Sequence, residues 1–239
     1  WEAIYDKKNE EFLKNPPVGK DLLRWKYQRY VKEYCRTIRS VDEQVGRLLD
    51  YLEEKGVLDN TVIVYTSDQG FLLGEHGLYD KRFMYEESFR TPLIISCPSL
   101  VKKHSVCKEL VQNIDLAPTF LSLAGVEVPK EMSGRSLLPL FKNGKAENWR
   151  NELYYHFYDY PAVGSVRKHD GIRTKRYKLI HWYGEGSGND EAIDFWELYD
   201  LKKDVMEVNN VYDNPKYVKV REALTVQLEK LRKDVGVTE

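Results

Sequence analysis

Asp68, Gln69 and Lys81 are the side chains whose types and spacing could do chemistry within residues 61–82, T-V-I-V-Y-T-S-D-Q-G-F-L-L-G-E-H-G-L-Y-D-K-R. A carboxylate beside an amide oxygen gives two hard donors in a row, which suits a divalent cation such as Ca2+ or Mg2+. Calcium takes about 6–8 oxygen ligands, so further carboxylates must come from other parts of the fold. Lys81, thirteen positions after Asp68, adds an ammonium that could stabilise charge on a transferring group. His76 lies on the same loop, where it either touches a substrate or braces the backbone. Each piece also has a plainer reading: S-D-Q-G as a turn, and Lys81 as a surface lysine beside Asp80 and Arg82.

Such residues need a strand to present them. Thr61–Thr66 is β-branched and apolar, which predicts a strand buried on both faces, and Gly70 would let the backbone turn away sharply after it. In open α/β sheets, sites form beyond the carboxyl ends of the strands. Pro92–Cys97 predicts a second strand. Upstream, the opening through Asn15-Pro16-Pro17 reads as a surface loop. From about Asp21, Tyr27, Tyr30, Tyr34, Ile38, Val41, Val45, Leu48, Leu49 and Leu52 recur at helical spacing, predicting a long helix that ends at Lys55 with Gly56 beyond it. Its apolar stripe is expected to pack into a core. Asp115 is the expected N-cap of a helix running to Gly125. Buried strands alternating with helices predict an open, mainly parallel sheet with helices on both faces.

After about Asn148 the pattern changes. Leu153–Tyr158, Tyr177–Trp182 and Phe195–Tyr199 are short, aromatic-rich and separated by turn residues, as antiparallel strands are. G-E-G-S-G-N-D (184–190) reads as a hairpin loop. Asn214-Pro215 opens a closing helix with Tyr217, Val220, Leu224, Leu228 and Leu231 on one stripe. The expected organisation is therefore an α/β portion over 1–148 and a small α+β portion over 149–239, with an antiparallel sheet packed on the C-terminal helix.

Basic and acidic residues number 37 and 38, for a net charge of −1. No global field draws the chain to nucleic acid or to an anionic membrane, so anion recognition must be local. No stretch reaches the ~18 apolar residues that span a bilayer. The three cysteines, Cys35, Cys97 and Cys107, lack a C-x-x-C spacing, which argues against a zinc site or a disulfide framework. A Cys97–Cys107 bridge stays open, with free buried thiols the favoured state. The 17 tyrosines and 5 tryptophans fit a sugar-facing cleft or simple packing.

Taken together, S-V-D-E-Q-V-G-R-L-L-D-Y-L, T-V-I-V-Y-T-S-D-Q-G, G-E-H-G-L-Y-D-K, E-E-S-F-R-T-P-L-I, I-D-L-A-P-T-F-L-S-L-A-G, G-R-S-L-L-P-L and W-E-L-Y-D-L carry a resemblance that no single piece would. In this order, from about Tyr30 to Leu231, the chain resembles the second half of a type I sulfatase of the alkaline-phosphatase-like superfamily. The resemblance implies an alkaline-phosphatase-like sheet with flanking helices. It makes Asp68 and Gln69 calcium ligands and Lys81 the lysine on the sulfate ester. It also implies a formylglycine nucleophile made within a C-x-P-S-R signature, which these residues do not contain. Cys35-Arg-Thr-Ile-Arg39 lacks the proline and serine, and Cys97-Pro98-Ser99-Leu100 has its proline one place early and no arginine. The expectation is a C-terminal portion of a longer sulfatase, inactive alone, whose partner is the N-terminal half of the same protein.

S-D-Q-G-F-L-L-G-E-H-G-L-Y-D-K-R together with Y-P-A-V-G-S-V-R-K-H-D-G-I-R-T is similar to glucosamine-6-sulfatases of glycosaminoglycan breakdown. That similarity implies a sugar pocket lined by Arg167, His169 and Arg173; a solvated hairpin turn is the plainer account of residues 167–169. It also implies a periplasmic, lysosomal or secreted protein. Two other functions stay open: a phosphodiesterase or phosphonate hydrolase of the same superfamily, and a non-catalytic carbohydrate-binding fragment.

Overall fold

The computed structural model describes residues 10–161, 165–188 and 190–237. The first nine residues of the expected opening loop and Asn189 of the hairpin loop lie outside them. The chain forms two compact units, one of residues 1–61 with 72–79 and the other of residues 62–71 with 80–239.

In the first unit, α1 (Glu10–Lys14) forms where a loop was expected, and Phe12 packs on Trp25 at 4.5 Å between ring centroids. The long helix α2 (Gly19–Glu54) follows the predicted course, and Gly56 takes the left-handed φ of 65° that ends it. Its stripe does not make a core as expected: no residue of α2 is buried. Tyr27, Tyr34, Ile38, Val41, Leu48 and Tyr51 stay exposed. The loop docks through Tyr79, whose ring meets Tyr30 at 5.1 Å. Gly74, at φ 117°, lies against the Tyr79 hydroxyl, where a Cβ would sit 3.2 Å from it.

The second unit begins with β1 (Ile63–Thr66), followed by α3 (Glu86–Phe89) and β2 (Leu93–Ser96). The two strands pair antiparallel, Val64 opposite Ile95, so the parallel expectation is corrected. A parallel return needs a crossover, usually helical, that carries the chain back to the start of the first strand. Between Thr66 and Leu93 only four-residue α3 and a single 3-10 turn are regular. Neither strand is buried on both faces; Tyr65 is 42% and Ile94 62% exposed. Beyond β2, α4 (Leu116–Leu123) and α5 (Leu138–Phe141) pack with Leu93 and Ile95 around Leu137, Leu140 and Phe141.

Asp115 is a fully buried hub here rather than a conventional N-cap. Its carboxylate accepts from the backbone N–H of Gln112 and of Arg135, each at 2.8 Å, and is gripped by the Arg150 guanidinium. Gly134 is needed beside it, since a Cβ there would lie 1.9 Å from the Ile114 carbonyl oxygen.

The antiparallel sheet has four strands in sequential order, β3 (Glu152–Phe157), β4 (His169–Thr174), β5 (Tyr177–Gly184) and β6 (Ile193–Asp200). Three were legible in the sequence. β4 was not, because H-D-G-I-R-T offers a glycine and charges where strand alternation should be. The expected boundary near 148 falls inside this unit, just ahead of the sheet. One face of the sheet presents Ile172, Leu179 and Leu198 to Leu224 and Leu228 of α6 (Val218–Asp234). Arg232 of α6 clamps Asp170 through two hydrogen bonds of 2.6 Å. The cysteines are all free, but only Cys97 is buried. Among the described residues no helix is long and apolar enough to cross a membrane.

Candidate active site

The other face of the sheet carries residues 83–86 as a strap. Met84 packs on Ile180 and Trp182. Gly171 makes room for it: a Cβ on Gly171 would lie 2.6 Å from the Met84 sulfur. Tyr85 donates to Glu197 at 3.2 Å, which also accepts from the Trp182 indole at 3.0 Å. Glu86 is held by Arg173 at 3.1 Å and by fully buried Lys178 at 3.0 Å. Lys178 completes its shell with Glu207 at 2.7 Å and the Met84 carbonyl at 2.6 Å. Burial alone would raise the Glu86 pKa, but the Lys178 and Arg173 charges hold it below the ordinary value; in Glu207 burial prevails and the pKa rises.

This strap fixes the backbone of Lys81, which precedes it. Asp80 Oδ1 accepts from the N–H groups of Lys81 and Arg82 at 2.6 and 2.9 Å, and Tyr155 donates to the Arg82 carbonyl at 3.0 Å. Buried Ser88 then joins two segments. Its hydroxyl donates to the Lys81 carbonyl, and its own carbonyl accepts from Gly70 N–H at 2.7 Å. Gly70, where the chain turns away after β1, has no positive φ; it is glycine because a Cβ would meet the Glu87 carbonyl oxygen at 2.0 Å.

On the other side of that junction, the end of β1 folds back on itself. Ser67 donates to the Gln69 carbonyl at 2.8 Å, and Gln69 N–H to Asp68 Oδ1 at 3.0 Å. Asn113 donates to the carbonyls of Ser67 and Asp68 at 3.1 and 2.9 Å, fixing both from outside. With the Gln69 amide oriented to suit its neighbours, its nitrogen donates to Asp68 Oδ2 at 3.2 Å and its oxygen accepts from Lys81 Nζ at 3.3 Å. The three side chains singled out in the sequence thus converge through one amide. Ser88 and Asn113, which hold them there, carry no sequence signal of their own.

The remaining expected site residues are placed differently. His76 belongs to the first unit, exposed and at φ 54°. Arg167 lines a cavity of about 310 Å3 with Phe83, Tyr85, Trp182, Phe195 and Glu197. His169 does not reach that surface. Its ring is 0% exposed, stacked on Trp182 at 4.1 Å, with Nδ1 at 2.9 Å from the Arg167 carbonyl. Burial pushes its pKa down to about 4. The reason is strand register: His169 pairs with Trp182 on the face covered by the strap. Arg173 is committed to Glu86.

Comparison with known proteins follows the same outline. A family model described as "Sulfatase" matches residues 4–126, and one described as "N-sulphoglucosamine sulphohydrolase, C-terminal" matches residues 74–234. The chain belongs to the sulfatase family. This sulfatase chain is 50% identical over 235 residues to an N-acetylglucosamine-6-O-sulfatase of Bacteroides thetaiotaomicron, covering 98% of this chain and 41% of that protein. A solved structure holding its substrate, D-glucosamine-2-N,6-O-disulfate, matches at 50% identity and a TM-score of 0.88, over 98% of this chain and 46% of that one. A phosphonate monoester hydrolase of Agrobacterium radiobacter matches at 27% identity and a TM-score of 0.67, over 82% of this chain and 40% of that one. The chain therefore spans less than half the length of these relatives.

Sulfatases are expected to use Ca2+. Asp68 and Gln69 offer the right donor atoms, but two fall short of the ~6 a calcium ion needs. Among the described residues no group of three or more His, Cys, Asp or Glu side chains could hold a metal ion. These residues alone do not make a calcium site.

Proposed function

We propose that this chain is the C-terminal part of a sulfuric ester hydrolase that removes the 6-O-sulfate of a glucosamine unit in a glycosaminoglycan. The observation that carries this reading is the Gln69 amide linking Asp68 to Lys81 at 3.2 and 3.3 Å, in a chain 50% identical to a glucosamine-6-O-sulfatase. The Lys81 ammonium, at 3.3 Å from the Gln69 amide oxygen, stabilises the charge that a sulfate ester gathers as it is cleaved. Arg167, already bonded to the Tyr160 hydroxyl at 2.5 Å and facing Asp190 at 3.6 Å, borders the sugar cavity, with half-exposed Phe195 supplying a ring face for C–H groups. His169 acts through Arg167, whose carbonyl it holds. Asp68 and Gln69 give two oxygens to a divalent cation completed by other segments of the full-length protein, which also bring the formylglycine nucleophile. Export to a periplasmic, lysosomal or extracellular space accompanies this reading.

The test is sulfate release by the full-length protein from D-glucosamine 6-sulfate, alongside a phosphonate monoester. Turnover of the sulfate ester at a much higher kcat/KM supports the reading. Preferential turnover of the phosphonate overturns it in favour of the phosphoryl-transfer alternative. The isolated 239-residue chain is expected to release no sulfate. Chelation should abolish activity and Ca2+ restore it, while Asp68→Ala lowers the bound calcium measured directly.

A further inference from the structure

A second groove of about 560 Å3 opens in the same unit and shares no residue with the Asp68, Gln69 and Lys81 cluster. Five cations line it, Arg90, Arg173, Lys175, Arg176 and Lys202. Two carboxylates, Glu86 and Glu87, line it as well, so the positive excess is local and modest. Some of it is already answered. Arg173 is paired to Glu86 at 3.1 Å, Lys175 to Glu109 at 2.6 Å and Arg176 to Asp200 at 2.8 Å. Glu109 and Asp200 do not line the groove, so those two carboxylates sit behind the cations. Arg90 and Lys202 are exposed, and neither has an ion pair among the described residues.

The rest of the lining restricts what could enter. Val205 is 69% and Met206 50% exposed, and with Leu201 they make an apolar wall between the cations. A bare inorganic anion has no use for such a wall; the C–H face of a pyranose does. Guanidinium groups recognise sulfate and carboxylate oxygens through paired N–H donors. The volume falls in the ~300–1,000 Å3 range of sites for small organic ligands.

We infer that this groove binds a sulfated or carboxylated sugar unit of the same glycan chain, other than the unit being cleaved. The inference rests on the sulfatase reading for its glycan, while its residues are separate from those of that reading. Engagement of two units by one chain raises affinity for oligosaccharides over monosaccharides through effective concentration.

The experiment uses the full-length protein, wild type and Lys202→Glu, with Lys202→Gln as a milder second variant. Kinetics are compared on D-glucosamine 6-sulfate and on a heparin-derived tetrasaccharide. Charge reversal at Lys202 should raise KM for the tetrasaccharide about fivefold, as for a surface charge pair, and leave kcat and KM for the monosaccharide unchanged. Equal changes on both substrates, or none on either, would overturn the proposal. Calorimetric titration of the tetrasaccharide provides a readout independent of turnover. Weaker binding to Lys202→Glu supports the groove even if no sulfate ester is hydrolysed, a result that would sink the proposed function alone. Inorganic sulfate binding as tightly as the tetrasaccharide would show a simple anion site and refute the glycan.

Discussion

Charged side chains are treated differently at the two ends of the strap formed by residues 83–86. On the sheet side, Lys178, Glu86, Glu207 and Arg173 close on one another, and Lys178 and Glu207 are essentially without exposure. On the β1 side, Asp68 and Lys81 are exposed and meet only through the Gln69 amide. The closed network holds position; the open one is accessible from solvent. Buried ion groups rarely add much net stability over apolar packing, yet losing one partner is costly because the others stay buried. The network thereby penalises any other seating of the strap, and the strap sets where Lys81 stands.

The comparison breaks most visibly at Lys178. Lys178→Met should destabilise the folded protein by about 3–5 kcal/mol, the usual cost of stranding a buried charge, seen as a lower urea midpoint. The equally long Lys81→Met should leave that midpoint nearly unchanged. Similar midpoint losses in both variants would erase the distinction.

Acid sensitivity should come from the sheet side as well. His169 has its folded pKa lowered from 6.5 to about 4, so the unfolded chain binds the extra proton first as pH falls. Its contribution is complete above pH 6.5 and is lost between there and about 4. The shift corresponds to about 3 kcal/mol. Glu86 is shifted down and Glu207 up, so the two act in opposite senses as pH falls. In His169→Phe, melting temperature should decline less between pH 6.5 and 4 than in the wild type; an unaltered slope would assign the acid limb elsewhere.

Smaller effects fall at the junction itself. Gly70→Ala puts a methyl group 2.0 Å from the Glu87 carbonyl, and should cost about 1–3 kcal/mol as an overpacked contact, with lower kcat in the full-length protein. Ser88→Ala removes only the hydroxyl bond to Lys81, about 1 kcal/mol. It should lower kcat while leaving KM close to the wild-type value, which a purely structural serine would not do.

Much of this was legible in the sequence because it is local. The helical spacing of α2, the β-branched run of β1 and the aromatic strands of the sheet are short-range patterns, and Asp68, Gln69 and Lys81 stood out as a candidate site only through the family resemblance. What stayed hidden depends on contacts far apart in the chain. Gly171 breaks the pattern of β4 because the Leu179 carbonyl and the Met84 sulfur, at 2.4 and 2.6 Å, leave no room for a Cβ. His169 resembles an exposed turn residue until its register with Trp182 turns it inward. Ser88 and Asn113 are ordinary residues that matter because their backbone and amide groups reach the end of β1.

The central claim is that Lys81, held against Gln69 and Asp68, stabilises charge on a glucosamine 6-sulfate as its ester bond breaks. Single-turnover sulfate release by full-length Lys81→Ala tests it most directly. A fall of about 100-fold or more, the usual loss for one oxyanion-stabilising group, with thermal unfolding unaltered, is the predicted result. Turnover within a few-fold of wild type would contradict the account.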